Sequence, residues 1–383
     1  MRLGVDAALV DGRVVAGDVA VDRRSGTIEA VGLDSPGDGG PPGPHPGTTI
    51  AVAGFVDLQV NGIGGVEFRS CGPEGYATAA GVLAAHGAVA VQPTFFSCSV
   101  EEYRAALRLL DGVAGAPPPG CRFLPAHLEG PFLNPTWVGA HEPATFLPPD
   151  PGVLAQLLDA GPIGFMTVAP ELPGGTVLVA DLCAAGVTVS VGHSDADSGQ
   201  VRAAVDAGAR HLTHCWNAHR RFAPREPGPA GVALADRRVT VGLIADGVHV
   251  AADTVRLTMA AAAGRVAATT DAIPPAGMVP TADGATAWTE HGREVRVADG
   301  AARLADGTLA GSVATPDAVL RHLVAVGCGL EAAVDACGGA QRRLLGLPEL
   351  RLRAGDPADV TVLRADDLTV VRTLVAGTEV HAV

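Results

Sequence analysis

Residues 187–218, VTVSVGHSDADSGQVRAAVDAGARHLTHCWNA, decide how the rest of the chain is read. An apolar, β-branched run ends in His193, a helical pattern follows at 198–208, and a second apolar run ends in His214 and Asn217. Strand, helix and strand at this spacing make one βαβ unit, whose two strands run parallel with their C-terminal ends on one edge. Two imidazoles then project from neighbouring strand ends toward one point.

The same step recurs outward in both directions. Strand patterns lie at 55–62 (FVDLQVNG), 89–96 (VAVQPTFF), 121–130 (CRFLPAHLEG), 164–171 (GFMTVAPE), 239–247 (VTVGLIADG) and 265–272 (RVAATTDA), with Ala/Leu-rich helical stretches between them. Near-continuous apolar strands alternating with helices indicate a parallel sheet covered on both faces. Eight such steps over about 280 residues fit a (β/α)8 TIM-like barrel better than an open doubly wound sheet, though strand counting alone does not establish closure.

Both chain ends read differently. Residues 1–51 alternate short β-type runs with turns, and 351–383 return to β-type segments, ADVTVLRA and LTVVRTLVAGTEVHAV. Neither end buries a face alone, so the expectation is a small discontinuous β-sandwich domain built from 1–51 and 351–383, with the catalytic barrel at 52–350. A Gly/Pro-rich stretch over 33–49 reads as an exposed loop, and 283–310 as a β-hairpin insertion.

Composition narrows the chemistry. Of 383 residues, 41 are acidic and 27 basic, and every basic residue counted there is arginine; the chain has no lysine. A lysine Schiff base, a P-loop lysine and a metal pair bridged by a modified lysine are excluded. The formal charge of -14 argues against nucleic-acid or anionic-membrane partners. Seven cysteines without a CxxC pair, and an N-terminus without a continuous apolar run, lead to the expectation of a cytoplasmic protein with reduced thiols.

Polar groups recur just after the apolar runs: Gln59 and Asn61, His127 and Glu129, Glu171, His193, His214 and Asn217, Asp246 and His249, and Asp271. Burying them is costly unless they converge on a ligand. Glu129, His193 and His214 form the donor set of a catalytic metal site, with a position left for water. Asp271 suits general base and then general acid work, since Pro274 and Pro275 follow too closely for it to cap a helix. The stretch 219–231, HRRFAPREPGPAG, concentrates Arg220, Arg221 and Arg225 in an acidic chain, where an anion would be met. Cys98 and Cys215 read as packing residues.

In order along the chain, AGFVDLQVNGIGG, HLEGPFLNPTWVGAH, VAPE, VSVGHSDA, LTHCWNAHRRFAPREPGPAG, VGLIADGVHV, TTDAIPPAG and LAGSVATPDAV resemble the successive motifs of the N-acetylglucosamine-6-phosphate deacetylase family, within the amidohydrolase superfamily. The resemblance runs from about Val52 to the C-terminus. It implies metal-dependent hydrolysis of the acetamide of a phosphorylated amino sugar, in a homodimer. Glu129, His193 and His214 would hold one divalent ion per subunit, zinc first, with iron, manganese or cobalt also accepted. Asp271 would be the catalytic acid/base and His141 would meet the acetyl or sugar part. Asn217, Ala218, Arg225 and His249 would hold the sugar phosphate, with Arg225 or His249 reaching in from a neighbouring copy. Gln59 and Asn61 stand where other superfamily members carry an HxH pair; amides are weak zinc ligands, so one metal is expected and these two side chains are left to the substrate. Trp216 and His219 depart from the family pattern and would alter the sugar pocket. An N-acetylgalactosamine 6-phosphate deacetylase, a different amidohydrolase and a non-catalytic sugar-phosphate sensor are the alternatives.

Overall fold

The computed structural model describes residues 1–34, 48–278, 286–290 and 293–383. The loop expected over 33–49 falls outside these residues at 35–47, as does the expected insertion at 283–285 and 291–292.

All eight expected strands form, in chain order: Phe55–Val60, Ala88–Phe96, Ala126–Glu129, Ile163–Val168, Thr188–Val191, His211–Leu212, Thr240–Ile244 and Val266–Thr269. Each pairs in parallel with the next. They are largely apolar because both faces are covered: every residue of Phe55–Val60 and of Val266–Thr269 is buried. Helices between Pro73–Ala85 and Pro316–Ala325 form the outer ring. The third strand region is split, since Leu124 and Pro125 separate the short Arg122–Phe123 piece from Ala126–Glu129.

The sheet closes, which rejects the open alternative. Val60 bridges Ala272 in parallel, and Asn61 N–H donates to the Ala272 carbonyl at 2.8 Å. Most of this seam is held by a side chain. The buried Asp57 carboxylate, on the first strand, accepts from the Thr269 hydroxyl and from Thr270 N–H (2.9 Å) on the last, as well as from Gln59 N–H (3.0 Å). Burial pushes the Asp57 carboxyl upward against these hydrogen bonds. Asp57→Ala leaves two buried N–H groups without their acceptor, at about 1–3 kcal/mol each. A loss of about 2–6 kcal/mol in urea unfolding is expected; a change within experimental error would show that the backbone bridge alone closes the barrel.

Below the strand ends, the barrel interior carries a polar layer. His127 Nδ1–H donates to the Leu58 carbonyl (3.0 Å) and Nε2 accepts from Thr167 (2.8 Å). Thr167, Thr213, Ser190 and His211 continue the chain at 2.8, 2.5 and 2.9 Å. Burial lowers His127 to about 4 and His211 to about 3, so both are neutral members of this layer.

The chain ends share one six-stranded sheet: Thr49–Ala53 pairs in parallel with Ala7–Val10 and antiparallel with Val360–Arg364. The two-stranded Asp18–Asp22/Thr27–Leu33 sheet packs with it around a separate core that includes Val19, Val21, Ile28, Val360 and Leu374. The insertion after the last barrel strand is a four-stranded antiparallel meander ending in Ala301–Leu304 and Leu309–Ser312, more than the single hairpin expected. All seven cysteines are free, and burial pushes the Cys98 thiol up to about 12. Among the described residues no helix is long and apolar enough to cross a membrane.

Candidate active site

Glu129 ends the third strand and sits at the centre of the barrel mouth, buried to 2% exposure. Its Oε1 lies 3.1 Å from His193 Nε2 and 3.0 Å from His214 Nε2. Gln59 Nε2–H donates to the same oxygen at 3.1 Å, and His141 Nε2 is 3.8 Å from Oε2. Tyr103 donates its hydroxyl to the Glu129 carbonyl at 3.1 Å, tying the strand end to the second helix.

The two ligand histidines are oriented from behind. His193 Nδ1–H donates to the Trp137 carbonyl at 2.7 Å, and His214 Nδ1–H to the Asn217 carbonyl at 3.2 Å. A carbonyl can only accept, so both Nδ1 atoms carry a proton, and the tautomer this selects has its lone pair on the Nε2 atom that faces Glu129. Two nitrogen lone pairs and a carboxylate oxygen at about 3 Å repel unless a cation lies among them. The donor set therefore fits a divalent metal, and the three ligand atoms lie within 4.8 Å of one another.

Backbone strain aims these side chains. His193 (φ 48°), His214 (φ 29°) and Asp271 (φ 50°) all occupy the left-handed region, which non-glycine residues seldom adopt. As each strand leaves the barrel, this twist turns the side chain toward the axis while the chain departs. Asp271 is held by Asn61 Nδ2–H, which donates to Oδ1 at 2.8 Å, and its carbonyl accepts from Ser312 N–H at 2.9 Å. Gly311 is required there, since a Cβ would meet Ile273 at 2.5 Å and the Asp271 carbonyl oxygen at 2.9 Å.

The electrostatics separate the two carboxylates. Burial acts to raise Glu129, but the imidazoles of His141, His193 and His214 around it outweigh burial and hold the carboxyl well below its ordinary range. Asp271 goes the other way: burial and the nearby Glu129 charge raise it well above that range. His141, stacked on Phe96 at 3.7 Å between ring centroids, is lowered to about 3, first by burial and then by the neighbouring His193.

Glu129, His141, His193, His214, Asp271 and His249 line one cavity of about 560 Å³, with Asn217 and Ala218 on its wall. His249 is oriented by Asp246, which accepts from its Nδ1 at 2.8 Å and from its N–H at 2.9 Å. Other expected residues lie elsewhere. Gln59 and Asn61, expected to face the substrate, direct their amide N–H groups to Glu129 and Asp271 and do not line the cavity. Arg225 is exposed on its loop, outside the cavity of its own chain. Glu171 accepts from Asn134, Ser194 and Asp195, clamping two loops together. Trp216 turns its indole to Thr258 (2.9 Å), and His219 is buried with Nε2–H on the Thr213 carbonyl (2.7 Å), so neither reshapes the cavity directly. The lining residues that were not expected include one charged side chain, Arg303 from the meander. The alternating pattern of that insertion shows a strand, and nothing local shows where it docks.

No family model matches the chain. It is 34% identical over 351 residues to the N-acetylglucosamine-6-phosphate deacetylase of Danio rerio, covering 86% of this chain and 84% of that one. The chain belongs to the N-acetylglucosamine-6-phosphate deacetylase family. It is thereby a hydrolase of the amidohydrolase fold. A family relative with a different name, the N-acetylgalactosamine-6-phosphate deacetylase of Escherichia coli O157:H7, is 33% identical over 314 residues, covering 81% of this chain and 82% of that one. Among solved deacetylases of the family, a mutant from Mycobacterium smegmatis in complex with N-acetyl-D-glucosamine-6-phosphate superposes with a TM-score of 0.87, at 35% identity and 98% coverage of both chains.

Proposed function

We propose that this chain hydrolyses the acetamide of N-acetylglucosamine 6-phosphate to acetate and glucosamine 6-phosphate. The observation that carries the reading is the convergence of Glu129, His193 and His214 in the cavity that also holds the buried Asp271. In this reading the three hold one divalent ion, zinc first, with iron, manganese and cobalt suited to the same donors. When bound, such an ion polarises the amide carbonyl, acidifies water and draws Asp271 toward its ionised form.

Asp271 takes a proton from the attacking water and returns it to the departing amine. Asn61 holds one carboxylate oxygen, leaving the other for that proton. His141 is kept neutral by burial, so a ring N–H can donate to the acyl oxygen as charge develops there. Gln59 orients Glu129. Asn217, Ala218 and His249 receive the sugar phosphate, and Arg225, exposed outside its own cavity, completes that site in a neighbouring copy of a cytoplasmic homodimer.

Arg303 adds a guanidinium from the same chain. Its Nη1–H donates to the Gly307 carbonyl at 2.9 Å, and among the described residues it has no carboxylate partner. Arg225→Ala and Arg303→Ala are each expected to raise KM about 10- to 100-fold for the phosphorylated sugar, the worth of a charged hydrogen bond. KM for the unphosphorylated sugar should stay near wild type. A rise for both sugars would make the arginine a structural residue, and no rise would remove its role.

The deciding experiment measures acetate release from N-acetylglucosamine 6-phosphate, its galacto epimer and N-acetylglucosamine, with metal content on the same sample. Fastest turnover of the first is expected. If no metal is bound, or all three remain intact with zinc, iron or manganese supplied, the reading fails. The identity to the galacto enzyme sustains a second reading, and fastest turnover of that epimer would select it.

A further inference from the structure

We propose that Asp195 is a positioning residue for the metal, acting through Trp137 to hold the His193 imidazole as a neutral, Nε2-directed ligand. This rests on the metal reading above; Trp137 lines the cavity, while Asp195 and Arg220 lie outside it.

The links are direct. His193 Nδ1–H donates to the Trp137 carbonyl, and among the described residues no other group holds that nitrogen. The carbonyl belongs to a three-residue 3-10 turn, Pro135–Trp137, too short to fix its own orientation. Three contacts hold the turn: Thr136 N–H donates to Asn134 Oδ1 at 2.9 Å, and Trp137 makes the other two. Trp137 N–H donates to the Asn134 carbonyl at 3.0 Å, and its indole Nε1–H donates to Asp195 Oδ1 at 2.9 Å. Asp195 is in turn gripped by Arg220, whose Nε and Nη2 donate to its two oxygens at 3.3 and 2.9 Å. Arg220 N–H also donates to the Ser194 carbonyl at 2.9 Å, so the loop after the sixth strand is pinned to the loop after the fifth.

The network joins the loops that follow strands three, five and six, which are the loops from which Glu129, His193 and His214 depart. Gly139 shows how close the first of them runs to the ligand: a Cβ there would sit 3.1 Å from His193 Cε1. If the indole loses Asp195, only the local bonds to Asn134 hold the turn, so the carbonyl can shift from Nδ1 and the imidazole can tilt or change tautomer. Either change withdraws the Nε2 lone pair from the ion. Losing such an outer partner typically weakens metal affinity about 10- to 100-fold.

The test is zinc affinity, measured by competition with a chromophoric chelator on the full-length protein. Asp195→Ala and Trp137→Phe should each raise the zinc dissociation constant about tenfold, at the low end of that range because the effect passes through a backbone carbonyl. Asp195→Asn, which keeps an oxygen for the indole N–H, should restore most of the affinity. Acetate release lost by Asp195→Ala under limiting zinc should recover in excess zinc. Wild-type affinity in both Asp195→Ala and Trp137→Phe overturns the proposal, as does an Asp195→Asn variant as weak as Asp195→Ala, which would assign the effect to the Arg220 ion pair alone. Should wild type itself bind no zinc, the metal reading fails first, and the two failures are distinct.

Discussion

Asp271→Asn is expected to keep its metal and lose about 10³-fold in kcat, within the range that a positioned general acid/base contributes. The substitution is nearly isosteric, and the Asn carbonyl oxygen can still accept from Asn61 Nδ2–H. What disappears is the ability to accept a proton from water and release it to the amine. Folding stability should not fall, because a carboxyl that burial and Glu129 push upward is replaced by a neutral amide. Acetate release and metal per subunit on one sample check this. If the metal is lost with the activity, Asp271 is a ligand; if turnover persists, the proton passes through another group.

Glu129→Gln should have the other large effect, on metal binding first and on stability second. An amide oxygen replaces the anion on which both Nε2 lone pairs converge, so metal affinity should fall well beyond the roughly 100-fold upper figure for losing an outer-shell partner. In the metal-free protein the change removes a carboxylate that the surrounding imidazoles hold well below its ordinary range, so stability should fall too. Metal analysis should therefore give an empty protein whose Tm lies below that of chelator-treated wild type. Full metal content in this variant would exclude Glu129 as a ligand.

Much of the site was legible because of where the residues stand on strands. A buried parallel strand is largely apolar, so a Glu or His at its end is conspicuous: Glu129 closes one strand, and His193, His214 and Asp271 each follow one by two residues. The same logic misjudged Glu171, which follows a strand but serves its neighbours Ser194 and Asp195. Gln59 and Asn61 were assigned to the substrate because sequence shows an amide at a strand end and not its direction, and both amides point sideways to the carboxylates. Arg303 lay beyond sequence reasoning: the insertion reads as a hairpin, and long-range contacts, such as Ser312 N–H to the Asp271 carbonyl, bring the meander over the cavity. Trp137, Asp195 and Arg220 were invisible for a similar reason, because 58 and 25 positions separate the pairs that touch.

The sequence by itself determined the number and alternation of strands and helices, the absence of lysine chemistry, and the four ionisable groups at strand ends. These follow from local rules: periodicity, turn residues and the cost of polar groups after apolar runs. Closure of the barrel, the sharing of one sheet by the two chain ends and the approach of Glu129 to two histidines were decided by tertiary structure. Each depends on contacts between residues far apart in the chain, such as Asp57 with Thr270 or Ile50 with Leu363. A one-dimensional pattern can say that such groups must find partners, and the packed chain alone decides which partners they find.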